Sequence, residues 1–138
     1  MALKLDIVTP EKKIFSGEVD NVYFSGVEGE MGVLEAHVAL VTGLVPGELR
    51  YAQGGKVHEL AVGEGFVEVT GEKVTVLTDL AATDGQIDEA KVEAAMKRAE
   101  ETLAKIDHSE NAEEVAAIQA TIAKSMAQLK LKRKRKNI

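Results

Sequence analysis

A chain of 138 residues with 45% apolar and 29% charged side chains is long enough to bury a core and too apolar to stay disordered. It contains no cysteine and no apolar run near 18 residues, which excludes disulfides, thiolate metal sites and a membrane-spanning helix. The net charge of −6 is unevenly spread: six of the last nine residues are basic, so residues 1–129 carry 11 basic against 23 acidic groups, a net −12 that would repel a nucleic acid.

From Met1 the chain enters the alternating "LKLDIVT" almost at once, so neither a secretory signal nor a transit peptide is expected. In that stretch Leu3, Leu5 and Ile7 share one side of a strand, and Lys4 and Asp6 the other. "VDNVYFS", "GELRYA" and "KVHELAVG" read as further strands. "GVEGEMG" reads G-x-x-G-x-x-G with no Lys-Ser/Thr after it, a turn rather than a phosphate cradle. "GFVEVTGEKVTVLT" has the form of a hairpin around Gly71. Of 12 glycines, 11 precede residue 80, punctuating many short strands. The pattern predicts a flattened β-sandwich or barrel over residues 1–84.

From residue 85 the chain changes to alanine-rich helix, with 11 alanines from Ala90 to Ala127. Asp88 is placed to cap a first helix whose stripe is Val92, Met96, Ala99, Leu103 and Ile106. "DHSEN" breaks the pattern. Asn111, with Glu114 three positions on, is placed to cap a second helix with the stripe Val115, Ile118, Ile122, Met126 and Leu129. Residues 85–138 are thus expected to form an antiparallel helical hairpin. Few apolar groups stand against the cost of ordering two helices, so docking is expected to be marginal and the hairpin a two-state element.

Nothing in the residues points to catalysis. His37, His58 and His108 lack metal-ligand spacing, and no serine sits in a G-x-S-x-G elbow. A basic tip on an acidic body is best matched by an acidic protein surface, where opposite charge gives steering and register. A stand-alone β-sandwich binding module, or a nucleic-acid-binding protein using the tail, are the competing readings.

The segments "LDIVTPEKKIFSGEVDNVYFSGVEGEMGVLEAH", "VPGELR", "GFVEVTGEKVTVLTDLA" and "IDEAKVEAAMKRAEETL", in this order, resemble the epsilon subunit of the bacterial F-type ATP synthase over almost the whole chain. The resemblance implies a non-catalytic rotor subunit of the central stalk, peripheral on the cytoplasmic face of the bacterial inner membrane, with no catalytic or metal site. It implies a β-sandwich that binds the gamma subunit and the c-ring, with Glu30, Met31 and His37 as contact residues. It also implies a mobile helical hairpin that inhibits ATP hydrolysis by reaching the catalytic beta and alpha subunits, with Lys130, Lys132, Arg133, Lys134, Arg135 and Lys136 meeting an acidic segment of beta. Family members often carry proline where this chain has Glu35 and Ala39. Some bind ATP through Ile/Leu-Asp-x-x-Arg-Ala; here Ile87 and Asp88 match, but Lys91 replaces the arginine and lacks its planar fork of donors, so no resident cofactor is assigned.

Overall fold

The computed structural model describes residues 3–34 and 39–136. Ten strands run in chain order: β1 (Leu3–Val8), β2 (Lys13–Val19), β3 (Asn21–Gly26), β4 (Gly29–Leu34), β5 (Leu40–Leu44), β6 (Gly47–Gln53), β7 (Lys56–Val62), β8 (Gly65–Thr70), β9 (Lys73–Thr78) and β10 (Ala81–Ala82). A turn of 3-10 helix at Asp84–Gln86 leads into α1 (Glu89–Lys105) and α2 (Ala112–Lys136). The architecture is the expected β-sandwich followed by two helices. Strands β2, β4, β5 and β10 are additions to the sequence reading: β4 and β5 are interrupted by glycine, β2 alternates imperfectly and β10 has only two residues, so none shows a clean period of two.

The strand order is β10-β7-β6-β3-β5-β8-β9-β1-β2, with β4 on the side of β3. β3 registers with β6 through Asn21, Val22 and Tyr23, but meets β5 only at Gly26 opposite Leu44. The sheet therefore folds over at that bridge into two leaves. At the opposite margin β2 returns to β6, where Gln53 Nε2 donates to Glu18 O (2.8 Å) and the Phe15 and Tyr51 rings lie 4.6 Å apart. This closure makes the sandwich a flattened barrel.

Between the leaves lie Leu3, Leu5 and Ile7 of β1 with Val67, Val69, Val74 and Val76 of the β8–β9 hairpin, facing Val22, Phe24 and Leu49 of the other leaf, all buried. β1 is parallel to β9 and antiparallel to β2, so the first strand is an interior one. The β6–β7 hairpin turns through Gly54 and Gly55, both at positive φ (58° and 83°), as a two-residue type I′ turn requires. That turn sets Arg50 opposite Glu59 and Glu48 opposite Ala61 on the outward face.

α1 opens as the sequence suggests, with Asp88 Oδ1 accepting from Lys91 N–H (3.2 Å). The start of α2 differs: the Asn111 side chain donates to Asp107 O (3.1 Å), and the loop is held by Asp107, which accepts from the Ser109 N–H (2.9 Å) and Oγ (2.7 Å). Within α1 no residue is buried, and its predicted stripe is half-buried against α2. α2 in turn packs on β6, β7 and the 3-10 turn.

Candidate functional site

Because α2 lies between α1 and the sheet, it needs two contact faces. Of the expected stripe, Val115, Ile118 and Ile122 are half-buried and Leu129 is buried; Ser125, outside that stripe, is buried as well. A second line, Lys124, Ala127, Leu131 and Lys134, recurs at steps of three, four and three and meets the sheet. Leu131, flanked by lysines in the sequence, is 1% exposed among Ala61, Ala82 and Ile87. Met126, assigned to the first stripe, is instead 59% exposed, at a groove of about 970 Å³ between helix and sheet that Met96, Pro46 and Leu129 also line. Beside this groove α2 is not close-packed.

Around Leu131 the basic residues find acids of their own chain. Lys124 Nζ binds Asp79 (2.8 Å). Gly63 leaves room for that carboxylate, since a side chain there would collide with Asp79, which also accepts from the Glu64 N–H (3.0 Å). Lys132 Nζ donates to Asp84 O (3.2 Å) and lies 3.8 Å from its Oδ1. Arg133 pairs with Glu93 and, at 3.8 Å, with Glu89 on the first turns of α1. Lys134 Nζ bridges two strands, binding Glu59 Oε2 on β7 (2.6 Å) and Glu48 Oε1 on β6 (3.2 Å). Burial, and then the neighbouring Glu59, push the Glu48 carboxyl up, with Lys134 pulling it back; the bond to Glu59 raises Lys134.

Magnitudes separate the roles. Burying Leu129 and Leu131 contributes about 1.5 to 3 kcal/mol each, whereas an exposed ion pair adds about 1 kcal/mol at most. The leucines hold α2 in its seat; the cations set its register. The apolar part of this contact is small.

The other predicted residues fall in three places. Glu30 is exposed near the tip of the β3–β4 hairpin and tied to Arg50 Nη2 at 2.9 Å. Met31 is half-buried and packs against the core, so its surface contribution is small. His37 lies outside the described residues, as do Glu35 and the side chains of Arg135 and Lys136. Lys130 is exposed. Ile87 is buried with Leu131, and the Asp88 carboxylate accepts from the Lys91 N–H, so these residues form the cap and first turn of α1. His58 stacks on Tyr51 (centroids 4.9 Å). Among the described residues no group of three or more His, Asp or Glu is placed to hold a metal ion.

The sequence reading missed the acids that receive the tail. Their signal is present in "GELRYAQGGKVHEL": a Gly-Gly loop of two residues fixes the register, and Glu48, Arg50 and Glu59 then share one face. On the other leaf, Phe66 (61% exposed) pairs with Leu77 (49%) across β8 and β9, and Val27 and Val41 extend the exposed apolar area. A shallow apolar hollow at Val8, Pro10 and Leu77 continues it.

The sequence pattern described as ATP synthase, Delta/Epsilon chain, beta-sandwich domain matches residues 2–84. An ATP synthase epsilon chain of Desulforamulus reducens is 49% identical over 100 residues, covering 72% of this chain and 76% of that one. Another, from Anaeromyxobacter dehalogenans, is 42% identical over 130 residues, covering 89% and 98%. Among solved structures, a chain of the Euglena gracilis mitochondrial ATP synthase, in its OSCP/F1/c-ring part in rotational state 1, superposes with a TM-score of 0.76 at 24% identity over 94% of this chain and 79% of that one. A chain from the central stalk and c-ring of the Tetrahymena thermophila mitochondrial ATP synthase gives 0.54 at 16% identity over 68% and 72%. At these identities the structural likeness is one of fold.

Proposed function

The chain belongs to the ATP synthase epsilon chain family, and on that premise we propose that it is a non-catalytic subunit of the central stalk whose helical arm restrains ATP hydrolysis when it leaves its seat. The sandwich joins the gamma subunit to the c-ring. The arm, once released, carries Lys130, Lys132, Arg133, Lys134, Arg135 and Lys136 to the catalytic beta and alpha subunits. The subunit sits peripherally on the cytoplasmic face of the bacterial inner membrane; among the described residues no helix is long and apolar enough to cross a membrane.

One observation carries this reading. The basic end of α2 is held by acids of the same chain, through pairs that are individually weak and beside a groove that leaves Met126 uncovered. An acidic segment of a neighbouring subunit competes for the same cations. The exposed apolar area of Phe66, Leu77, Val41 and Val27 is the surface we assign to gamma, because apolar patches that cross several strands mark partner sites. The hairpin tip with Glu30, and the following segment with His37, is assigned to the c-ring.

The test uses opposite signs. Replacing Glu48 and Glu59 by Gln weakens the seat and leaves the arm intact, so hydrolysis by the assembled synthase is expected to fall about two- to fivefold, the scale of one exposed ion pair. Replacing the six basic residues by Gln removes the grip and is expected to raise hydrolysis. Changes of the same sign in both variants, or no change in either, would reject the inhibitory arm.

A further inference from the structure

Glu48 Oε1 is shared. Lys134 Nζ approaches it from α2 at 3.2 Å, and Arg50 Nη1 from the same strand at 3.7 Å. Arg50 is kept from closing on Glu48 by Glu30, which binds its Nη2 at 2.9 Å from the neighbouring hairpin and is the first cause of its raised pKa. Its guanidinium also lies over the Tyr23 ring, 5.7 Å from the centroid. Tyr23 can lie there because β4 carries Gly32 opposite it, where any side chain would strike the ring. A continuous line of charge therefore runs Glu30–Arg50–Glu48–Lys134–Glu59, from an exposed hairpin near the edge of the sandwich to the catch of α2.

We propose that Arg50 is a positioning residue that couples the β3–β4 hairpin to the seat of α2: when a cationic group of a partner captures Glu30, Arg50 is freed to close on Glu48 and competes there with Lys134. The effect is a loosening and not an ejection, since Lys134 keeps its shorter bond to Glu59 and Leu131 stays in its pocket. Partner occupancy of one edge of the sandwich thereby tunes the arm at another without any backbone displacement. The partner class is a basic side chain, because Glu30, 62% exposed, is the most exposed member of the line and is an anion.

This inference rests on the reading of α2 as a releasable latch, and hydrogen exchange of the full chain separates the two. The amides from Ser125 to Arg133 report opening of the latch, and those of Leu5, Val67 and Val76 report the sandwich. Glu30→Gln is expected to lower protection in α2 about two- to fivefold, the range of an exposed pair, with the strand amides unmoved. Glu28→Gln removes the same charge from the same hairpin and is expected to leave α2 protection unchanged. In an Arg50→Gln background the Glu30→Gln effect is expected to vanish, because the competitor for Glu48 is gone. Equal effects of Glu30→Gln with and without Arg50, or none in either, overturn the coupling. If α2 exchanges in every variant only as fast as the core strands, the helix does not leave its seat, and the latch falls together with the coupling.

Discussion

Asp6 illustrates what a single residue can conceal. Alternation puts it with Lys4 on the outer face of β1, and it is there, yet it is buried. The reason is that β1 has a neighbour on each side: Ser16 of β2 donates to its Oδ1 (2.7 Å), and Lys73 of β9 reaches its Oδ2 (3.2 Å). The Ser16 hydrogen bond first, then Lys73, hold the carboxyl below its ordinary range against the opposing effect of burial. A depressed folded-state pKa means that the stabilisation is complete above the unfolded value of about 3.9 and disappears as pH falls through the folded one. Asp6→Asn is accordingly expected to cost about 1 to 3 kcal/mol at pH 7 in urea denaturation, and the difference from the parent is expected to shrink below about pH 4. A mutant deficit that stays constant down to pH 2 would show that the charge is irrelevant. Glu48 has the opposite sign: its raised pKa means that acid relieves a penalty there. Neither shift is legible from spacing, because both depend on which strand lies alongside.

Among the elements, α2 departs most from its reading. Its first stripe is plain in the sequence, whereas the second is hidden because lysines occupy both ends of it and the one strong apolar residue, Leu131, stands inside a basic run. A helix clamped on two sides by partners of different polarity does not give a single apolar face. Leu131→Ala is expected to loosen the helical hairpin by about 2 to 5 kcal/mol, visible as lost protection in α2 with intact protection in the strands. Met126→Ala, although it removes a residue of the apparent stripe, is expected to change stability by about 0.5 kcal/mol or less. Equal effects of the two substitutions would mean that the seat around Leu131 is not what holds α2. The strands show a related pattern. Hairpins closed by glycine turns, such as β8–β9, are legible because the turn chemistry and alternation agree. β4 and β5 escape because Gly29, Gly32 and Gly43 meet close neighbours or a turn instead of supplying a side chain to the pattern.

At the scale of the whole molecule, composition and turn spacing suffice for the class of fold but not for its closure. Pairings between distant segments, β1 with β9 and β2 against β6, make the flattened barrel, and no local pattern encodes them. The exposed row at Phe66 and Leu77 was equally invisible, since an outward apolar pair looks like an imperfect strand until the other face is known to be core. Phe66→Ser with Leu77→Ser is expected to leave the thermal midpoint within a few degrees of the parent, as surface changes do, and to reduce copurification with gamma. Undiminished retention would overturn the proposed assignment of this row to gamma.

The parallel pairing of β1 with β9 also dictates an order of manufacture. During synthesis the first strand can pair with the second at once, but its other edge stays open until the ninth has emerged, so the sandwich stays unfinished through most of translation. By then the glutamates at 48 and 59 and the turn at Asp84 are the newest or nearly newest finished surfaces, and the segment still inside the ribosome is the arm that will rest on them. The second helix thus follows its seat in the order of synthesis and emerges onto a landing place that is already built.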